Sequence, residues 1–151
     1  MNDVLWIILL SMAPVSELRG AIIYGFSTDV PRALVVTLAL FFNALVGPLV
    51  YLFIRYVVAL FLHIESVNKF WNHVVVRSQH KLEPTIQKYG TFGMAIFIGL
   101  PLPGTGVYTA AIGACALGFS FRKFFVSSIL GVLLAATIIT ILSFFGYGLL
   151  S

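Results

Sequence analysis

The chain has 151 residues, 60% of them apolar and 9% charged, with a formal net charge of +4 and a mean hydropathy of +1.06. A soluble domain of this size carries about a quarter charged residues, so the composition excludes an ordinary water-soluble fold and points to a chain solvated by lipid. The small excess of positive charge bears on orientation and offers no nucleic-acid footprint, while a single cysteine, Cys115, excludes an internal disulfide and a cysteine-based zinc site.

Met1, Asn2 and Asp3 carry an acid instead of the basic cluster of a signal peptide, so no cleavage is expected. Residues 4–13 form an apolar run that ends at Pro14. At 1.5 Å per residue it rises about 15 Å, half of the roughly 30 Å hydrocarbon core. A polar, helix-breaking segment holding Pro14, Ser16, Glu17, Arg19 and Gly20 follows, and then a short apolar leg over 21–26. The pattern predicts a re-entrant helical hairpin over 4–26, dipping to the midplane and returning; the alternative is one kinked full span. Residues 33–62 are long enough to cross a bilayer, with a kink expected at Gly47-Pro48.

Between 63 and 89, Ile64, Val67, Trp71, Val74, Val75 and Leu82 recur near helical spacing among cations and histidines. This predicts an amphipathic helix at the cytoplasmic interface, ending near Pro84. Its expected role is an anchor between two halves, with anionic-lipid sensing as the alternative. The run 91–100 again stops half-way at a proline, Pro101, and the breaking segment is Pro101, Leu102, Pro103, Gly104, Thr105 and Gly106. A second hairpin is predicted over 91–118. Residues 124–150 contain no charge and form the second predicted span.

The order short, break, short, long thus occurs twice. Gly20 to Ser27 aligns without gaps onto Gly113 to Ser120, with five of eight positions identical. The chain is therefore expected to be an all-α integral membrane protein with an inverted repeat: a first half over 1–62, a linker over 63–89, and a second half over 90–151. Each half is a re-entrant hairpin followed by one transmembrane helix. Non-crossing hairpins leave one crossing per half, which inverts the second half; crossing hairpins would leave the halves parallel. Lys69, Arg77, Lys81, Lys88, Arg122 and Lys123 fall on the linker side and Arg32 on the other. The positive-inside rule then puts the linker in the cytoplasm of a multi-pass cell-membrane protein and both termini outside.

Charges at membrane depth are costly and mark pathways, proton relays or ligand sites, which singles out Glu17 and Arg19. Being two positions apart, they cannot face each other on a regular helix, so their partners must lie elsewhere. The competing reading is that they only hold the tip together. The second tip has no charge: Pro101, Pro103, Gly104 and Gly106 free the backbone, and Thr105, Tyr108 and Thr109 bring hydroxyls. Ser16 and Thr105 are placed to cap the helices that restart after each break. Two helix N-termini converging beside Arg19 would suit a phosphate or carboxylate, with Glu17 taking up a proton. Asn43, in the first span, is equally suited to packing and to lining the site, and Arg55 is expected to snorkel to the interface. His63, His73 and His80 lack a supporting ligand cluster, and no nucleophile–base pair stands out. No metal, cofactor or enzymatic activity is expected.

The tip motifs, Ala13 to Ile22 and Gly99 to Gly106, resemble those of the small multi-drug export protein family over essentially the whole chain. Where that family commonly has a proline after the first motif, this chain has Ile23. The family is in turn similar to the DedA or VTT superfamily of membrane proteins. That resemblance implies two hairpins facing each other from opposite leaflets and transport of lipids, including polyprenyl phosphates, in part driven by a proton gradient. DedA proteins carry Pro-Gly-x-Arg at the second tip; here Pro103, Gly104, Thr105 and Gly106 keep Pro-Gly and lack the arginine, leaving Arg19 as the one tip cation.

The expectation is a small secondary transporter or flippase, proton-coupled, moving an anionic or amphiphilic substrate such as a lipid phosphate. The alternatives are an exporter of cationic drugs using Glu17, an uncoupled lipid scramblase, and a non-transporting assembly subunit. Expected partners are membrane lipids, the substrate and protons. With so little structure to shield its broken backbone, the chain is also suited to a homodimer.

Overall fold

The computed structural model describes residues 2–61, 63–102 and 104–150, with the side chains of 78, 79, 81–87 and 147–150 outside the description. Among the described residues six helices follow one another: α1 (Asp3–Met12), α2 (Glu17–Phe26), α3 (Arg32–Phe61), α4 (Glu65–Gly99), α5 (Val107–Ala116) and α6 (Phe121–Leu150). Gly90, at φ 54° and ψ −124°, breaks α4 into two helical segments. No strand occurs among the described residues.

The helix expected to end near Pro84 instead continues to this glycine. A proline removes one backbone hydrogen bond and need not stop a helix, whereas the Gly90 backbone geometry is one that a side chain resists. The identical letters of the two halves also fall differently. Gly25 lies inside α2, where a Cβ would collide with Val35. Its sequence counterpart Gly118 lies past the end of α5 in a left-handed turn.

α3 and α6 are long and apolar enough to cross a membrane, each running about 45 Å at 1.5 Å per residue. On α3, Phe41, Leu45, Leu49 and Phe53 recur every fourth residue and are 47–66% exposed. An apolar stripe of this length facing outward is a surface for lipid, not water. The opposite face is buried by Val35, Ala39, Asn43, Val46 and Tyr51.

Contacts along their length show that α3 and α6 run antiparallel. At one end the Arg32 guanidinium lies 4.8 Å from the Phe144 ring. Towards the other, Tyr51 stacks on Phe124 with centroids 4.9 Å apart. The short helices enter this pair from its two ends. The Tyr24 hydroxyl reaches Asp3 Oδ1 at 3.1 Å, closing α1 against α2, and Phe26 meets Phe144 edge-on at the Arg32 end. At the other end Ser127 Oγ donates to the Thr91 carbonyl at 2.8 Å, and the Tyr51 hydroxyl donates to that of Phe119.

The turns joining α1 to α2 and α4 to α5 therefore point towards each other, and both reach the middle of the long helices. Asn43 Nδ2 donates to the Ser11 carbonyl at 2.8 Å. A Cβ on Gly47, one turn on, would meet Val107, the first residue of α5. On α6, Leu134 packs where Gly99, the last residue of α4, has no side chain. Small residues at such crossings let helices approach closely enough for dispersion forces to hold them in lipid.

Candidate functional site

A broken helix leaves its last carbonyls and first amides without partners, and in a medium without water each such group costs several kcal/mol. The polar residues of the two tips answer that demand, largely across the gap. At the end of α1, Ser16 Oγ donates to the Leu10 carbonyl at 2.7 Å, Asn43 to Ser11, and the Tyr108 hydroxyl to Met12. At the end of α4, Arg19 does most of the work. Its Nη2 donates to the carbonyls of Leu100 at 2.7 Å and Ile98 at 3.2 Å and to Thr105 Oγ1 at 3.2 Å. Its Nη1 donates to the Leu102 carbonyl at 3.1 Å. Thr105 Oγ1 itself donates towards Leu100 or Leu102, at 2.6 and 2.8 Å. A cation thus sits at the negative end of a helix dipole.

Glu17 does the converse. It opens α2 with a positive φ of 48°, is buried to 6% exposure, and extends to the start of α5. There its Oε1 lies 3.5 Å from the Tyr108 N–H. Gly106, at φ 142°, passes so close that a Cβ would overlap the Glu17 carboxylate. A carboxylate of the first tip therefore fills the positive end of the helix that restarts at the second. The hydrogen bond is at the long limit, so the carboxylate is confined there but weakly held.

The structure brings together Ser16, Glu17, Arg19, Asn43, Thr105, Gly106 and Tyr108. Pro14, Pro101 and Gly104 shape the exposed turns, and Gly20 packs on Ser16 where a Cβ would clash. Thr109 lies half-buried on α5 and hydrogen-bonds to no tip residue among the described ones. Pro103 lies outside the described residues. Neither expected cap forms: Ser16 stands at the N-cap of α2 without a capping bond, and Gly106 takes the N-cap of α5 in place of Thr105. Both hydroxyls are drawn to nearer orphan carbonyls.

Unused bonding capacity remains. Arg19 Nε, Asn43 Oδ1 and Ser128 Oγ are buried without a hydrogen-bond partner among the described residues. Ser128 lies against Gly47 on α3; the adjacent hydroxyls Ser127 and Ser128, within a charge-free span, are the signal that marks it in the sequence.

The model of the small multi-drug export protein family matches residues 17–138. The chain belongs to that family. The match begins at Glu17 and takes in Arg19 and the second tip, so the interlocked charges lie within the matched stretch, while Pro14 and Ser16 of the first turn precede it. No curated protein and no solved structure matches the chain.

Proposed function

We propose that this member of the small multi-drug export protein family is a proton-coupled secondary transporter whose substrate binds between the tips. The observation that carries the reading is Glu17 at the start of α5, beside Arg19: a carboxylate of the protein occupies the place of an external anion. Protonation of Glu17 removes its charge and its hold on the α5 N-terminus. An anionic group, a phosphate or carboxylate, then takes its place and reaches the unused Nε of Arg19. Substrate and proton bind together, and release of both lets Glu17 return. A lipid phosphate fits this scheme because the outer faces of the helices are apolar.

The two hairpins are read as re-entrant, entering from opposite membrane faces as an inverted repeat related to the DedA type. Antiparallel α3 and α6 and tips at mid-length support that reading. Orientation follows from charge, with the linker, Arg122 and Lys123 cytoplasmic and Arg32 outside. Val15, 96% exposed, and Leu102, 53% exposed, leave both turns uncovered in one copy, which suits a homodimer.

The test is translocation of labelled anionic lipid, polyprenyl phosphate included, in proteoliposomes with and without a pH gradient. Movement towards the alkaline side is expected to rise with the gradient, each pH unit driving about a tenfold accumulation for one proton per substrate, and Glu17→Gln is expected to abolish the gradient dependence. Movement indifferent to both would mean an uncoupled scramblase. The family name favours a second reading: export of cationic drugs with Glu17 as the counter-ion, marked by drug efflux lost in Glu17→Gln without any anionic lipid movement.

A further inference from the structure

Away from the tips, a cavity of about 430 Å³ opens between α3, the 117–120 turn and Trp71 of α4. Its polar lining comes from Arg55, Ser120, Cys115 and Tyr51. An apolar groove of about 420 Å³ adjoins it, bounded by Val57 and Phe61 of α3, Phe70 and Val74 of α4, and Ile112 of α5. Ile54, Val58 and Trp71 line both spaces. Each volume lies in the range of small-molecule sites, roughly 300–1,000 Å³.

Arg55 is, among the described residues, the one charged side chain lining either space, and no carboxylate lines them. Among the described residues no acid forms an ion pair with Arg55; Lys69, nearby in sequence to Trp71, is already held by Glu65 at 2.8 Å. A cation on α3 beside an apolar groove, facing a tryptophan of α4 across the same cavity, is complementary to a molecule with a negative head and hydrocarbon chains. A guanidinium matches phosphate oxygens in a bidentate fork, and indole settles at the depth where head meets chain.

The geometry points to a bound anionic phospholipid here, its phosphate on Arg55 and its chains in the groove beneath Trp71. Arg55, which is already turned towards the Tyr51 hydroxyl by a side-chain hydrogen bond, thus has a ligand for its remaining donors. The site requires only that the chain reside in a bilayer and stands whether or not the tips transport anything. It fastens α3 to the amphipathic segment of α4 through a lipid of one leaflet.

Trp71 is the natural reporter once Trp6, the other tryptophan, is replaced by Trp6→Phe. The protein is reconstituted in phosphatidylcholine vesicles holding a minor fraction of brominated phosphatidylglycerol, or the same fraction of brominated phosphatidylcholine. The anionic lipid is expected to be enriched at Trp71 by about fivefold over the zwitterionic one, the factor that one basic side chain contributes near such lipid. Arg55→Gln should bring that ratio to about one, Arg55→Lys should keep most of it, and Lys69→Gln should leave it unchanged. Equal quenching by the two lipids, or an excess that survives Arg55→Gln, would overturn the proposal. Displacement by inorganic phosphate would move the site to free anions and overturn it equally.

Discussion

Arg19→Gln is expected to abolish gradient-driven translocation and to lower the thermal unfolding temperature in detergent by the largest amount of any single exposed or half-buried position. The guanidinium makes three contacts to backbone carbonyls at the end of α4 and one to Thr105. Hydrogen bonds to a charged group are worth about 1.5–3 kcal/mol, and a neutral amide with two N–H donors can replace at most two of these four. A loss near 3 kcal/mol would shift the population of docked tips by about a hundredfold. Arg19→Lys tests geometry against charge. It keeps the cation but cannot span Ile98, Leu100 and Leu102 together, so an intermediate loss is expected. Native stability in Arg19→Gln would show that the interlock contributes nothing.

Gly106→Ala is expected to be nearly as damaging for a different reason. Its backbone, at φ 142° and ψ −177°, lies in a region that is essentially confined to glycine and costs about 1–3 kcal/mol for other residues. The new methyl would also displace the Glu17 carboxylate. Gly118→Ala is the control: its φ of 69° is likewise positive, but no described residue lies within 4 Å of the added carbon. Gly106→Ala should therefore cost clearly more than Gly118→Ala, and it alone should remove the pH-gradient response. Adding Glu17→Ala should restore part of the unfolding temperature by vacating the space. Equal losses in the two alanine variants, or no rescue, would separate Gly106 from Glu17.

Much of this arrangement was legible in the sequence because it is written in side chains. Prolines at Pro14 and Pro101 mark where apolar legs stop half-way, and Glu17 and Arg19 are conspicuous among so few charges. The helical class and the two long apolar helices follow from runs that need no tertiary information. What the sequence conceals is carried by backbone. Arg19 pairs with the carbonyls of Ile98, Leu100 and Leu102, and a carbonyl is identical at every residue, so nothing in the letters designates those three. The same holds for Ser11 and Met12, the partners of Asn43 and Tyr108. Ser16 and Thr105 were legible as hydroxyls beside helix starts, but which orphan group each satisfies depends on where the previous helix ends in space. Gly90 and Pro84 illustrate a local ambiguity: both are helix breakers on paper, and the glycine takes the break.

The proposal that the two tips meet at the middle of the bilayer, reached from opposite faces, is tested most directly by measuring their depth. Val15→Cys and Leu102→Cys, each in a Cys115→Ala background, place a fluorophore on an exposed residue of either turn. Quenching is then compared between lipids carrying a nitroxide at the headgroup, high on the chain and near the chain end. Both positions are expected to be quenched most strongly by the chain-end nitroxide. Strongest quenching by the headgroup nitroxide at either position would put that turn at the membrane surface, make its hairpin a full span or a surface loop, and remove the shared site between the tips.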